Sequence, residues 1–82
     1  MPTISMFYGI SIKMYFSDHF PPHFHAIYGD KNGMFDIRTL EMIEGDLNFR
    51  ARELIKEWGE KHKDELLKIW ETKEYHKISG LE

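Results

Sequence analysis

Between Leu47 and Trp70 the apolar residues fall at Leu47, Ala51, Leu54, Ile55, Trp58, Leu66, Ile69 and Trp70, with His62 in the intervening gap. This spacing follows the 3.6-residue turn of an α-helix and lays one stripe along it. Such a helix must bury its stripe, and the preceding segment supplies the matching surface. In "ISIKMYF" Ile10, Ile12, Met14 and Phe16 alternate with Ser11, Lys13 and Tyr15, the period of a half-buried strand. "HFHAIYG" repeats the pattern, with Phe24, Ala26 and Tyr28 on one face and His23, His25 and Ile27 on the other. The chain is therefore read as α+β. An antiparallel meander of three to four strands fills residues 1–46, and one long helix, or two consecutive helices, fills 47–73 and packs on one sheet face. Residues 74–82 form a tail, expected to be partly mobile.

The punctuation fits this order. Pro21 and Pro22 lack amide donors and mark a turn or strand entry. "GDKNG" at 29–33 offers glycines and Asn-Gly for a hairpin between the histidine strand and "MFDI", and "LEMIE" closes the sheet at Gly45. Asp46 or Asn48 is placed to cap the helix. Gly59 interrupts the helix interior, where glycine costs about 1 kcal/mol relative to alanine, yet the stripe keeps its phase across it. Trp58 and Trp70 lie near the stripe and are read as core.

Eighty-two residues, 41% of them apolar, make a single globular domain. The absence of cysteine excludes disulfides, thiolate metal sites and cysteine nucleophiles. No apolar run is long enough to cross a membrane and no signal segment is evident, so a cytoplasmic location is expected. A net charge of −3 disfavours strong nonspecific nucleic-acid binding, although Arg50, Arg52 and Lys56 leave room for a local basic patch.

The chemistry concentrates in "DHFPPHFHAIYG", residues 18–29. Residues two apart on a strand project from one face, so His23 and His25 place two imidazoles side by side. If the helix covers Phe24, Ala26, Phe35 and Ile37, then Asp36, Tyr15, Lys13 and Ser11 share the histidine face. One use of that face is a divalent metal site, zinc for example, with His23, His25 and Asp36 as ligands and His19 as a fourth. Another is acid–base chemistry on RNA, with His23 or His25 as base or acid, Tyr15 as helper and Lys13 or Arg38 stabilising the phosphorane. A third is structural: the prolines lock a turn and the histidines sit on a polar strand face, with no cofactor. Left uncovered, the same face would be a semi-apolar patch suited to a protein partner or a homodimer.

"MPTI" followed by "FYG", then "DHFPPHFHAIYG", "FDIRTLEMIEG" and "ELLKIWE" together resemble the small prokaryotic proteins designated domain of unknown function 4160. The resemblance spans nearly the whole chain and departs at Gly59, where alanine is expected. It implies a setting more than a reaction. Such proteins are commonly encoded beside another small protein, and such pairs are proposed to be toxin–antitoxin modules. The resulting expectation is a component of a toxin–antitoxin-like two-gene module, acting through contact with a small partner encoded nearby and through RNA. The competing expectation is a small metal-binding protein or metal-dependent enzyme using the His-x-His strand.

Overall fold

The computed structural model describes residues 3–15 and 19–81. Phe16, at the end of the first predicted strand, and Asp18, at the head of the proline motif, lie outside them. Strands β1 (Thr3–Phe7), β2 (Ile10–Lys13), β3 (His23–Tyr28), β4 (Lys31–Asp36) and β5 (Met42–Gly45) precede one helix, α1 (Phe49–Thr72). The strands pair antiparallel in the order β1-β2-β3-β4-β5, a five-stranded meander. The architecture is the α+β meander and C-terminal helix expected, with one strand more than predicted. That strand is β1, which pairs Phe7 with Ile10 across a two-residue loop, Tyr8 (φ 49°) and Gly9 (φ 79°). Positive φ at both positions is the geometry whose twist suits a tight hairpin.

The second hairpin turns earlier than its Asn-Gly signal suggests. Tyr28 pairs with Lys31, so the loop is Gly29 and Asp30, and Asn32 and Gly33 belong to β4. Gly33 serves packing instead, because a Cβ there would stand 2.9 Å from Met42 Sδ and 3.1 Å from Leu47 Cδ1.

Strand alternation decides which residues form the core. Phe24, Ala26, Phe35 and Ile37 are buried against α1, together with Ile10, Ile12 and Met14. From the helix come Ala51, Ile55, Trp58, Leu66 and Ile69. Trp58 lies at the centre, stacked on Phe7 at 5.4 Å between centroids and edge-on to Phe24 at 5.7 Å. Asn48 caps the helix, its side-chain oxygen accepting from the Ala51 N–H at 2.8 Å.

α1 is one helix with a break at His62 (φ −123°, ψ 20°), three residues beyond the glycine that the sequence singles out. Gly59 is there to let the β4–β5 connection approach: a Cβ on it would lie 2.5 Å from Leu40 Cδ2. Leu40 is buried with φ 63°, and its N–H donates to Asp36 O at 2.7 Å.

The segment after the helix is docked rather than loose. Lys73 (φ 60°) closes α1 by donating to Ile69 O, and Ile78 and Leu81 then return to the core. The Ile78 N–H donates to Ile4 O at 2.7 Å, and Trp58 Nε1–H to Ser79 O at 2.8 Å. His76 Nε2–H donates to Glu65 at 3.0 Å, and this bond is the main reason the Glu65 carboxyl sits below its ordinary range. Isolated apolar residues at 78 and 81 carry no periodicity, so nothing in their spacing announces this burial.

Candidate functional site

The face of the sheet opposite the core is crossed by two rows of paired residues. Thr3, Lys13, His25, Met34 and Glu44 form one, and Met6, Ser11, Ile27 and Asn32 the other. His23, opposite Asp36, begins a third. The predicted alternation thus places both histidines and Asp36 on one side of the sheet.

The prolines position this strand through their carbonyls, because neither has an N–H to offer. Pro22 O accepts from the Ile37 N–H at 3.0 Å, anchoring the start of β3 to the end of β4. Pro21 O lies 2.7 Å from His23 Nδ1. A carbonyl can only accept, so the His23 proton resides on Nδ1, and in the neutral ring Nε2 is left as the acceptor.

The histidine rings meet edge to face at 5.1 Å, and Tyr15 meets His25 edge to face at 4.6 Å. Trp70, from the last turns of α1, lies against His23 at 5.2 Å, and Lys73 Nζ sits 3.9 Å from the Trp70 ring centroid. The result is a continuous chain of rings, Tyr15–His25–His23–Trp70, with a cation on its far end. His25 and Tyr15 are half-buried, whereas His23 is only 6% exposed. The helix end therefore covers His23, and exposure of the face rises from the half-buried His25 outward to Asn32, Glu44 and Met6. Trp70 is the site residue that sequence reading misses. Its place on the stripe puts it in the core, and it does pack there partly buried, but beyond the break at His62 its ring also reaches His23 at the entry to β3.

Asp36 and Arg38 form a separate pair. The Arg38 backbone N–H donates to Asp36 Oδ1 at 2.7 Å, and its guanidinium approaches the two carboxylate oxygens at 3.4 and 3.3 Å. Burial pushes the Asp36 carboxyl up, but the hydrogen bonds and charge of Arg38 outweigh it and hold the carboxyl below its ordinary range. The Arg38 guanidinium also lies over the exposed Phe20 ring at 5.3 Å, and its carbonyl accepts from Lys63 Nζ. Both Asp36 oxygens are thus occupied by a cation. His19 is exposed in the preceding loop. Among the described residues no group of three or more His, Asp or Glu side chains converges as a metal site would require. The structure brings together His23, His25 and Tyr15, and it ties Asp36 to Arg38 rather than to the imidazoles.

The fold and this face define a small α+β meander domain whose outer sheet surface, opposite the core, is built in part from aromatic, histidine and thioether side chains. Residues 9–71 match the model of the family described as Domain of unknown function (DUF4160), and the chain belongs to that family. No curated protein and no solved structure matches it. Among the described residues no helix is long and apolar enough to cross a membrane.

Proposed function

We propose that the protein is the binding component of a toxin–antitoxin-like two-gene module, and that it engages a small protein encoded nearby through the open sheet face. The supporting observation is the ring chain from Tyr15 to Trp70. It gives this face rigid, amphipathic anchors beside Ile27, Met34 and the 65%-exposed Met6. Aromatic and methionine side chains are enriched in the buried centres of protein interfaces, where they supply contact area with little loss of side-chain freedom. Glu44, at the β5 end of the central row, and Lys13, beside His25, would supply the charges of this face. Such a face could also pair with a second copy, so the oligomeric state of the isolated protein belongs in the same experiment.

The grouping of His23, His25 and Tyr15 favours a second reading, acid–base chemistry on RNA. His23 and His25 stand ring to ring with Tyr15 beside them, one imidazole to serve as base and the other as acid, and a shift of the helix end would have to open His23 to substrate. Arg38 would have to exchange Asp36 for a phosphate.

Co-expression of the untagged protein with the tagged product of the adjoining reading frame, followed by affinity purification and mass measurement, tests the first reading. A stable complex of the two chains is expected, and failure to co-purify under conditions where both are soluble refutes it. Expression of the protein alone, with growth and total RNA followed in time, tests the second. Unimpaired growth with intact RNA rules against nuclease action, and zinc titration of tag-free protein against His23→Ala/His25→Ala decides whether the imidazoles take metal.

A further inference from the structure

We infer that the outer edge of β5 is a docking site for an extended, basic segment of a partner protein, which adds to the sheet as a sixth strand. This rests on the reading of the protein as a protein-binding component, and it assigns a second surface and the chemistry of what binds there.

A meander ordered β1 to β5 has two edges, and this chain treats them differently. The β1 edge is covered by the chain's own C-terminal segment, through the Ile78 N–H to Ile4 O bond at 2.7 Å and the buried Ile78 and Leu81 side chains. The hydrogen bonds of β5 and its flanks instead run inward to β4, among them Asp36 N–H to Glu41 O and Asp46 N–H to Asn32 O. Proteins usually blunt such an edge with proline, lysine or a covering segment. β5 is blunted only in part, by its four-residue length, a bulge at Ile43 and the charge of Glu44; it supplies no proline or lysine, and Ile43 is 48% exposed.

The charges choose the occupant. Glu41 and Glu44 are exposed, and neither side chain is paired with a cation among the described residues, whereas Asp46 is tied back to Lys31 at 3.7 Å and to the Asn32 N–H at 3.1 Å. Two copies joined edge to edge would set these carboxylates against each other, and like charges directly across strands are destabilising. A strand carrying Lys or Arg meets the opposite sign. On the helix side of the edge lies a cavity of about 160 Å³, with Leu40, Met42 and the exposed Phe49 as its apolar wall and Arg52 and Lys56 opposite Glu41 and Glu53 at its mouth, so this side takes an apolar residue and the basic ones belong on the Glu44 side. Added strands send alternate side chains to opposite faces. On one side an apolar residue enters the cavity between Met42 and Phe49. On the other a basic residue lies beside Glu44, which shares the open face with Met34 and His25.

The test uses two end-blocked hexapeptides, (Lys-Val)₃ and (Glu-Val)₃, titrated into isotope-labelled full-length protein at low salt, with amide shifts read by NMR. The basic peptide is expected to shift the amides of residues 42–46 saturably and to bind at least about tenfold more tightly than the acidic one. Glu41→Lys/Glu44→Lys should reverse that preference. Glu57→Lys/Glu60→Lys, the same charge change on the exposed helix face, should preserve it. Equal affinity for both peptides, shifts spread away from 42–46, no saturable shift at millimolar peptide, or reversal by the helix-face variant would each overturn the inference. Concentration-dependent protection of 42–46 without peptide would also overturn it, by showing a second copy at the edge. If the nearby gene's product binds wild type and Glu41→Lys/Glu44→Lys with equal affinity, the edge assignment fails while the two-gene reading stands. If the peptide results hold and that product does not bind, the two-gene reading fails and the edge site survives.

Discussion

Replacing Gly59 with alanine tests how the helix is seated on the sheet, and the outcome depends on one neighbour. An alanine in a helix interior favours folding by about 1 kcal/mol over glycine. Here its Cβ would stand 2.5 Å from Leu40 Cδ2 and 3.4 Å from Leu40 Cδ1. Carbon atoms pack at about 3.5–4.0 Å, so roughly 1 Å of separation must be found. Leu40 has little room to yield, because it is 5% exposed and its backbone, at φ 63°, is fixed by the bond to Asp36 O. Overpacking of this kind costs about 1–3 kcal/mol, so Gly59→Ala should destabilise the protein by about 1 kcal/mol net. In a Leu40→Ala background the obstruction is gone and the helix preference remains. There the same substitution should stabilise by about 1 kcal/mol, a coupling of about 2 kcal/mol between the two sites. Urea unfolding followed by tryptophan fluorescence measures all four corners of the cycle. A coupling below about 0.5 kcal/mol, or a stabilising Gly59→Ala in the presence of Leu40, would refute the packing argument.

Three further outcomes follow from the core and its edges. Ser5 is 3% exposed and its hydroxyl has no hydrogen-bond partner among the described residues, so Ser5→Ala should raise stability by about 1 kcal/mol in the same unfolding assay. Ile78→Ala should cost about 2–4 kcal/mol despite lying outside every helix and strand, because the side chain is 5% exposed; a loss under about 0.5 kcal/mol would mean the segment does not dock. The Asp36 carboxyl is held below its ordinary range by Arg38, so its contribution to stability is complete above the unfolded value, about pH 4, and is lost as pH falls through the lower folded value. The urea midpoint of Asp36→Asn should therefore fall less than that of wild type between pH 5 and pH 2.5 (an interval set by about pH 4 for a free aspartate), and parallel curves would contradict the pairing.

Periodicity carries much of this fold. The alternation of Phe24 and Ala26 with His23 and His25, and the stripe through Ile55, Trp58, Leu66 and Ile69, are local patterns whose faces the structure reproduces. What escapes sequence reading depends on contacts between distant residues. The reason for Gly59 is Leu40, and the reason for Gly33 is Met42 and Leu47. The break at His62 leaves the phase of the stripe intact and so sends no signal, yet the helix beyond it brings Trp70 to His23. The grouping of Tyr15 with His25 follows from strand pairing, whereas the commitment of Asp36 to Arg38 is a turn contact that no face assignment reveals. β1 has no clean period because a bulge between Thr3 and Ser5 buries Ile4 and Ser5 in succession, and its pairing with β2 closes across the Tyr8–Gly9 turn.

The account turns on the ring-lined face being the surface that meets the nearby gene's product. Calorimetric titration of that product with wild type and with Tyr15→Ser/His25→Ser decides it most directly, with a thermal melt of each to confirm folding. The predicted result is affinity weakened by at least about 30-fold, roughly 2 kcal/mol, in a variant that still unfolds cooperatively. Affinities equal within about twofold would place the contact elsewhere and contradict the account.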